Sequence, residues 1–442
     1  MVGAGWAGLA AAIAAVQAGH QVTVLEAMRT LGGRARSLSC VLPDGSAVTL
    51  DNGQHILIGA YNQTLALMRL VGVDANQAML RTPLALVFPD GRGLSLPHFG
   101  HFPHLPAGFD ALVGIVGARG WSVADKLSLL RAAAAWRLAS FRCADSLSVA
   151  TLCARCSPKV ITELIEPLCV SALNVPTHEA SAQVFLRVLH DAMFGASGGS
   201  NLLLPRVDLS ALFPNAAADW LTRRGAQLRI GVRTHTLACD GAAWRIDGEH
   251  FDAVVLATSA PDAVRVVTTA IGAAAPSEAE AMARWASKTA ALRHTAITTV
   301  YAWGRNIALP HPMLALRSNP DEACNAPAQF VFDRGQLGGP AGLLAFVISS
   351  SNGEREALQA QVLVQARTQL NFELQAVQTV VEKRAAFACT PAVRRPSMQI
   401  APGLFACGDY LDGPYPSTLE GAVRSGSGLA QLLAQAVTQQ VA

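Results

Sequence analysis

Gly3, Gly5 and Gly8 stand at G-x-G-x-x-G spacing in MVGAGWAGLAAA, and Glu26 follows 18 residues after the third glycine. These residue types can hold a pyrophosphate and a ribose. Gly3 permits a tight turn, Gly5 lets backbone approach phosphates, and Gly8 lets a helix pack closely on a strand. The helix start offers N–H groups and a partial positive charge to the anion. A carboxylate at Glu26 accepts hydrogen bonds from ribose hydroxyls and disfavours a 2′-phosphate, so FAD or NAD fits better than NADP. A lone glycine motif is weak. Here the glycines, the alanine-rich helix, the apolar run Val22 to Leu25 and the terminal acid agree.

Other residues of chemical interest lie at both ends of the chain. After Gly32 and Gly33, Arg34 and Arg36 carry planar forks of donors that suit phosphate oxygens; the plain alternative is two solvated loop arginines. In the stretch Asp51 to Tyr61, Gly53 allows backbone to lie against a flat ring. His55 is a candidate proton donor there, against the commoner structural histidine. Near the C-terminus a strand ends in Gly408-Asp409, and Asp409 can accept hydrogen bonds from a polyol. A helix starting near Ser417 can aim the N–H groups of Thr418 to Ala422 at a developing negative charge. Tyr61, Tyr410 and Tyr415 join His55 as candidate acids. Cys153 and Cys156 form one C-x-x-C, without the second pair of a zinc site or the βαβ setting of a redox site, and no metal is expected.

Elements must bring these residues together. The length of 442 residues suggests two or three domains. Hydrophobic residues make up 51% and charged residues 15%, with a mean hydropathy of +0.31, so a large core is available. A net charge of +3 gives no nucleic-acid surface. Nine scattered cysteines argue for a reducing compartment, and no apolar run of about 18 residues marks a membrane span. The expected location is the cytoplasm, with contact at the inner face of the membrane. Only Met1 and Val2 precede Gly3 where a strand of about 5 residues belongs. Either the native start lies upstream or the central strand is a stub.

Leu84 to Leu96 reads as a hairpin turning at Asp90-Gly91. Residues 97 to 195, including HFGHFPHLPAGF and AAAAWRLASF, read as a helical cap and a greasy substrate chamber. Asn215 to Gly225 reads as a helix. Gln227 to Arg233 heads a β-meander with turns at Asp240-Gly241 and Asp247-Gly248, closed by a buried strand within Phe251 to Ser259. A helix at 281–292, strands near 296–303, 329–333 and 342–349, a helix at 354–370 and a strand from Thr379 to Ala388 suggest a mixed sheet under the cap.

Taken together, GAGWAGLAAA, E-A-x-x-x-x-G-G-R-A-R-S, DNGQHILIGAY and C-G-D-Y-x-x-G-x-Y-P-S-T-L-E-G-A-V-R-S-G resemble the FAD-dependent amine oxidase and phytoene desaturase superfamily. Within it, DNGQHILIGAY and the ending YPSTLEGAVRSG are most similar to the hydroxysqualene dehydroxylases of bacterial hopanoid synthesis. The resemblance implies FAD as cofactor. Gly3, Ala4, Gly5, Trp6, Ala7 and Gly8, with Glu26 and Ala27, would hold the ADP half. Gly33 and Arg34 would face the pyrophosphate, and Gly53, Gln54 and His55 would lie by the flavin. Val232 would make a backbone contact on the adenine side. Gly408 and Asp409 would meet the ribityl or pyrophosphate region, and Leu419 would donate to the pyrimidine edge. The implied fold is α/β with α+β elements: a Rossmann-like FAD domain with parallel sheet and β-meander, and a substrate domain with mixed sheet and helical cap. The FAD domain would comprise 1–85, 201–275 and 396–442, and the substrate domain 86–200 and 276–395. The implied reaction is reductive removal of the hydroxyl of hydroxysqualene. A carotenoid-type desaturase, an amine oxidase and a non-enzymatic prenyl-binding protein are the alternatives. Implied partners are a long apolar isoprenoid, a membrane surface and other squalene-pathway enzymes.

Overall fold

The computed structural model describes residues 1–97, 108–195, 198–241, 243–318 and 326–433. The glycine loop lies at the carboxyl ends of a largely parallel sheet. Thr23–Glu26 pairs in parallel with Gln227–Ile230, and Val254–Leu256 pairs in parallel with Leu404–Ala406. Val2 joins the two pairs, bridging Leu25 on one side and Leu256 on the other. Gln399–Ala401 adds an antiparallel edge. Val2 N–H bonds Val255 O at 2.8 Å and Leu25 N–H bonds Met1 O at 2.8 Å, the positions a central strand takes between the two parallel pairs. The Met1 amine donates to Thr23 O, and burial pulls its pKa down to about 6.

One expectation needs correction here. The sequence places Gln227 to Arg233 at the head of the meander, whereas its strand belongs to the first sheet. The meander itself is Leu237–Asp240, Ala243–Ile246 and Glu249–Phe251, all antiparallel. A parallel edge strand carries no local mark of its partner, because its pairing is set by a segment two hundred residues away. After the meander comes a helix that the sequence reading lacks, Ala260–Ile271, capped by Ser259 and carrying proline in its first turn. Thr269 on that helix accepts the Leu237 N–H at 2.9 Å and so fixes it to the meander.

The first helix, Trp6–Gln17, exposes almost nothing. Its small side chains allow close packing. A Cβ on Gly8 would stand 2.0 Å from Gly3 O, and one on Gly426 would stand 2.3 Å from Ala7 O. Gly426 belongs to the last helix, Leu419–Ser427, so the two ends of the chain meet backbone to backbone.

The sheet expected under the cap has five strands, in the order Met313–Ala315, Phe330–Asp333, Leu343–Ser349, His294–Trp303, Gln375–Phe387. Each neighbouring pair is antiparallel. The strands on either side of His294–Trp303 thus run parallel to each other, which is why a helix, Arg355–Leu370, connects them. All residues of Leu343–Ser349 are buried, as in a strand covered on both faces. Tyr301 of this sheet donates its hydroxyl to Asp51 O at 2.9 Å and so ties the sheet to the loop that carries Gly53 and His55.

The cap contains Phe109–Gly117, Val123–Leu138, Glu166–Leu173 and Ala182–Phe194. Ser122 and Asp125 form a reciprocal capping box at the second of these. The hairpin is Ala85–Val87 with Gly93–Ser95. Most of the aromatic and histidine-rich stretch expected in the cap, residues 98–107, lies outside the described residues. Among the described residues no helix is long and apolar enough to cross a membrane.

Candidate cofactor and substrate site

One cavity of about 630 Å³ connects the two halves of the molecule. Glu26, at the end of a first-sheet strand, lies on one wall with Gly3, Gly5, Gly33, Val232 and Thr234 from the loops that follow the sheet's strands. The opposite wall is apolar: Leu84 and Leu86 from the hairpin, Val184, Val188, Leu189 and Met193 from the cap, and Met313, Phe330, Phe332 and Val347 from the antiparallel sheet. Arg34, Gly53, Gln54, His55, Asp409 and Leu419 lie along the same cavity.

The first wall has the form of a dinucleotide cradle. Gly5 caps the first helix without any side-chain acceptor, so the leading N–H groups have no intrahelical partner. Gly5, Trp6 and Ala7 all line the cavity. Gly3 holds φ +104°, and a Cβ there would stand 2.7 Å from Ala257 O. Gly33 holds φ +62° and lies beside Gly5, leaving open backbone where phosphates would approach. Glu26 accepts the N–H of Ala4 at 2.7 Å and of Met28 at 2.8 Å. These bonds fix the carboxylate at the strand end, and its remaining lone pairs suit ribose hydroxyls. Thr234 Oγ1 is buried without a partner on this wall, an acceptor and donor that a polar ligand would satisfy.

Arg34 and Asp409, 375 residues apart, form an ion pair. Arg34 also donates to Ala385 O at 2.7 Å, and the Asp409 charge raises the guanidinium pKa. Arg36 turns back to Gly33 O. The forks expected to face phosphate are thus largely held by protein, and Arg34 serves to set Asp409 and the glycine loop together.

Gly53 lies against the His55 ring: a Cβ there would be 3.7 Å from Nε2 and 3.9 Å from Thr299 Oγ1. Gln54 accepts from Arg334 at 3.3 Å. Burial, helped by the Arg34 charge, pulls His55 down to about 4, so the imidazole is neutral at pH 7. It cannot act there as a stored imidazolium proton.

The tyrosines separate into three situations. Tyr61 lines the cavity, and burial, then the nearby Glu420 charge, pushes its phenol above the ordinary range. Its ring meets Tyr415 edge-on at 6.3 Å. Tyr415 also lines the cavity, but its hydroxyl donates to Asp191 Oδ2 at 2.7 Å; burial and that bond push it up to about 12. Tyr410 is absent from the lining. Its ring packs on Gly408, and its hydroxyl is buried without a partner.

Asp191 is the residue that the sequence reading missed. On the helix Ala182–Phe194, Val184, Val188 and Asp191 follow at i, i+4 and i+7, an apolar stripe ending in a carboxylate on the cavity wall. Arg187 Nε donates to it at 2.7 Å and His190 Nδ1 lies at 2.8 Å. Burial opposes ionisation, yet the bonds from His190, Arg187 and Tyr415 together hold the carboxyl below its usual range. The stripe was legible as a pattern; its meeting with Tyr415, 224 residues away, was not. Asp191 is therefore a paired anion, with Arg187 and Arg424 stacked near the Tyr415 ring at 6.0 and 4.7 Å. That is a poor receptor for an ammonium group.

Leu419 begins the last helix behind the cap Thr418, whose Oγ1 accepts the Gly421 N–H at 3.0 Å. Ser417, just before it, has φ +57°, uncommon for a residue with a side chain. Its N–H bonds Asp409 O at 3.1 Å and its hydroxyl bonds Phe387 O at 3.0 Å, so the strained turn is held from both sides as it aims the helix at the cavity.

Comparison with known proteins agrees with this geometry. The model of flavin containing amine oxidoreductases matches residues 6–434. A hydroxysqualene dehydroxylase of Rhodopseudomonas palustris is 27% identical, covering 98% of this chain and 97% of that protein. A zeta-carotene desaturase of Synechocystis is 35% identical over a segment covering 21% of this chain and 18% of its own length. Among solved structures, cyclohexylamine oxidase from Brevibacterium oxydans covers 99% of this chain and 98% of its own, with a TM-score of 0.60 at 16% identity. At that identity the likeness concerns the fold.

Proposed function

The chain belongs to the flavin containing amine oxidoreductase family and takes FAD, and from that premise we propose that it reduces a long isoprenoid alcohol, hydroxysqualene, to squalene. The observation that carries this reading is the cavity itself. One side is the glycine cradle, and the other is a wall of leucine, valine, phenylalanine and methionine with no unpaired charge offered by Asp191. A hydrocarbon chain is the ligand that such a wall holds by burial alone. The full-length similarity to a hydroxysqualene dehydroxylase supports the same substrate.

Hydroxysqualene and reduced FAD would give squalene, water and oxidised FAD, the bound cofactor supplying the hydride that replaces the allylic hydroxyl. The protein's part is positional. The apolar wall excludes water and fixes the hydrocarbon. The leaving hydroxyl needs a proton, and Tyr61 is our choice of donor. It lines the cavity and keeps its proton throughout the neutral range. Neutral His55, Tyr415 bonded to Asp191, and Tyr410 off the wall are weaker choices. Asp191, Tyr415 and Arg187 hold the cap helix against the turn that precedes the last helix.

The test is anaerobic. The enzyme is reduced and mixed with hydroxysqualene, while flavin absorbance and squalene are followed together. Stoichiometric reoxidation with squalene release supports the proposal. Flavoprotein that leaves hydroxysqualene unchanged but, when oxidised, desaturates a carotenoid precursor would establish the desaturase reading, which the segment shared with zeta-carotene desaturase favours.

A further inference from the structure

Two cap helices expose apolar side chains that fold stability does not explain. On Phe109–Gly117, Leu112 is 44% exposed and Val116 58%. On Val123–Leu138, Val123 is 82% exposed and Leu138 88%, with Leu127 at 41%. Val123, Leu127 and Leu138 fall within one narrow stripe at the helical repeat of 100° per residue, and Leu112 and Val116 are one turn apart. The two helices meet at a corner. Lys126 Nζ donates to Val116 O at 2.6 Å, and Lys159 Nζ donates to Gly120 O at 2.6 Å. Both ammonium groups thus stand at the edge of the apolar stripe. Arg119, Arg131 and Arg137 are exposed on the same segment, whose acids are Asp110 and Asp125. Asp125 is engaged by Ser122 in the capping box.

We propose that this face docks on an anionic lipid bilayer, the aliphatic side chains entering the acyl boundary and the basic groups meeting phosphate. Scattered exposed leucines mean little, but a clustered apolar stripe with a basic rim has the form of an interfacial helix. The excess of basic over acidic groups selects an anionic surface. The face is also joined to the chamber. The helix Ala182–Phe194 lines the cavity through Val184, Val188 and Met193. Its last residue, Phe194, packs on Gly108 at the start of the first cap helix, and Arg137 of the second lies 5.6 Å over its ring. A long hydrocarbon leaving the bilayer at this corner would need to pass one helix end. That route rests on the isoprenoid reading above; the docking does not.

The experiment is flotation of the FAD-loaded protein with vesicles of phosphatidylcholine, with and without phosphatidylglycerol. The comparison is the triple variant L112E/V116E/V123E. These positions line neither the cavity nor the core, and equal flavin content and melting temperature verify that the variant is folded. Wild-type protein should float with anionic vesicles, less at high salt. The variant should lose about tenfold or more of that partitioning while keeping turnover on detergent-dispersed substrate. Wild-type protein that stays unbound, or a variant that floats equally well, overturns the proposal. So does a wild-type dimer that the substitutions convert to monomer without any vesicle binding, since the face would then join two copies. Protein that floats but leaves hydroxysqualene untouched supports docking and refutes only the substrate.

Discussion

Replacing Gly5 with alanine separates cofactor binding from folding. Gly5 caps the first helix at φ −75° and ψ −179°, a conformation open to any residue. An added Cβ meets its nearest neighbour, Gly33 Cα, at 3.8 Å, which is ordinary contact. Alanine restricts the unfolded chain and gains about 0.4–1 kcal/mol. It is a poorer helix cap than glycine by about 0.5–1 kcal/mol. The two effects nearly cancel, so the apoprotein should melt within about 2 °C of wild type. The methyl group, however, enters the gap between Gly5 and Gly33, where backbone lines the cavity. Displacing an anion from backbone donors loses hydrogen bonds worth about 1.5–3 kcal/mol, roughly 10- to 100-fold in affinity. The assay is flavin fluorescence quenching against apoprotein, beside a melt followed by circular dichroism. Undiminished flavin affinity refutes the placement of phosphate at Gly5. A sharply lowered melt refutes the claim that the apoprotein has room. The contrast is Gly8→Ala, whose Cβ would stand 2.0 Å from Gly3 O; it should lose folding and flavin together.

Other perturbations have equally definite outcomes. Tyr61→Phe should keep flavin binding and slow hydroxysqualene turnover by about 10²–10⁴, read from single-turnover reoxidation; an unchanged rate removes Tyr61 as the acid. Burial raises Asp51 to about 6, against opposing help from Leu209 N–H and Arg334. Its cost is therefore absent below the ordinary value near 3.8, grows as pH rises, and is complete above 6. Asp51→Asn, whose amide oxygen can still accept from Leu209, should raise stability at pH 7 by about 1–3 kcal/mol and flatten the denaturation midpoint between pH 4 and 6. Glu420 is fully buried and accepts from Gln63 N–H, Thr64 N–H, the Thr64 hydroxyl and Arg424. Glu420→Ala should destabilise by about 3–5 kcal/mol, while Glu420→Gln, keeping the shape, should cost less in the same urea titration. Asp191→Asn should lower the Tyr415 pKa from about 12, visible in the ultraviolet titration of the phenol; no change would mean that the bond to Asp191 is not made in solution.

How much of this was visible beforehand depended on the reach of each interaction. The glycine loop was readable because turn, helix start and strand end are all local and each residue type has a local reason. The last helix was readable through Thr418, Leu419 and the small residues behind them. The helix Ala260–Ile271 was overlooked although Ser259, Pro261 and Asp262 form a good start signal. Gln227–Ile230 was placed in the wrong sheet because parallel pairing with Thr23–Glu26 is a property of topology. Arg34 was read as facing the pyrophosphate from its guanidinium, its place after Gly32-Gly33 and the family resemblance, and none of these reveals that Asp409, 375 residues away, stands beside it. Asp191 followed the same logic. On its own helix it is one of four polar residues, with Gln183, Arg187 and His190, and only the approach of Tyr415 makes it part of the site.

The contact of Gly426 with Ala7 and Ala11 sets a timetable for biosynthesis. The glycine loop leaves the ribosome first, yet the helix that packs on it is encoded at residues 419–427. At elongation rates of about 5–20 residues per second the two are separated by roughly 20–80 s. During that interval the face of the alanine-rich first helix that packs on Gly426 is uncovered, and the cavity lacks the lining supplied by Leu419 and Ala422. Flavin capture should therefore follow synthesis of residues 419–427. A timed cell-free synthesis should show flavin bound to full-length chains and absent from chains halted before residue 396.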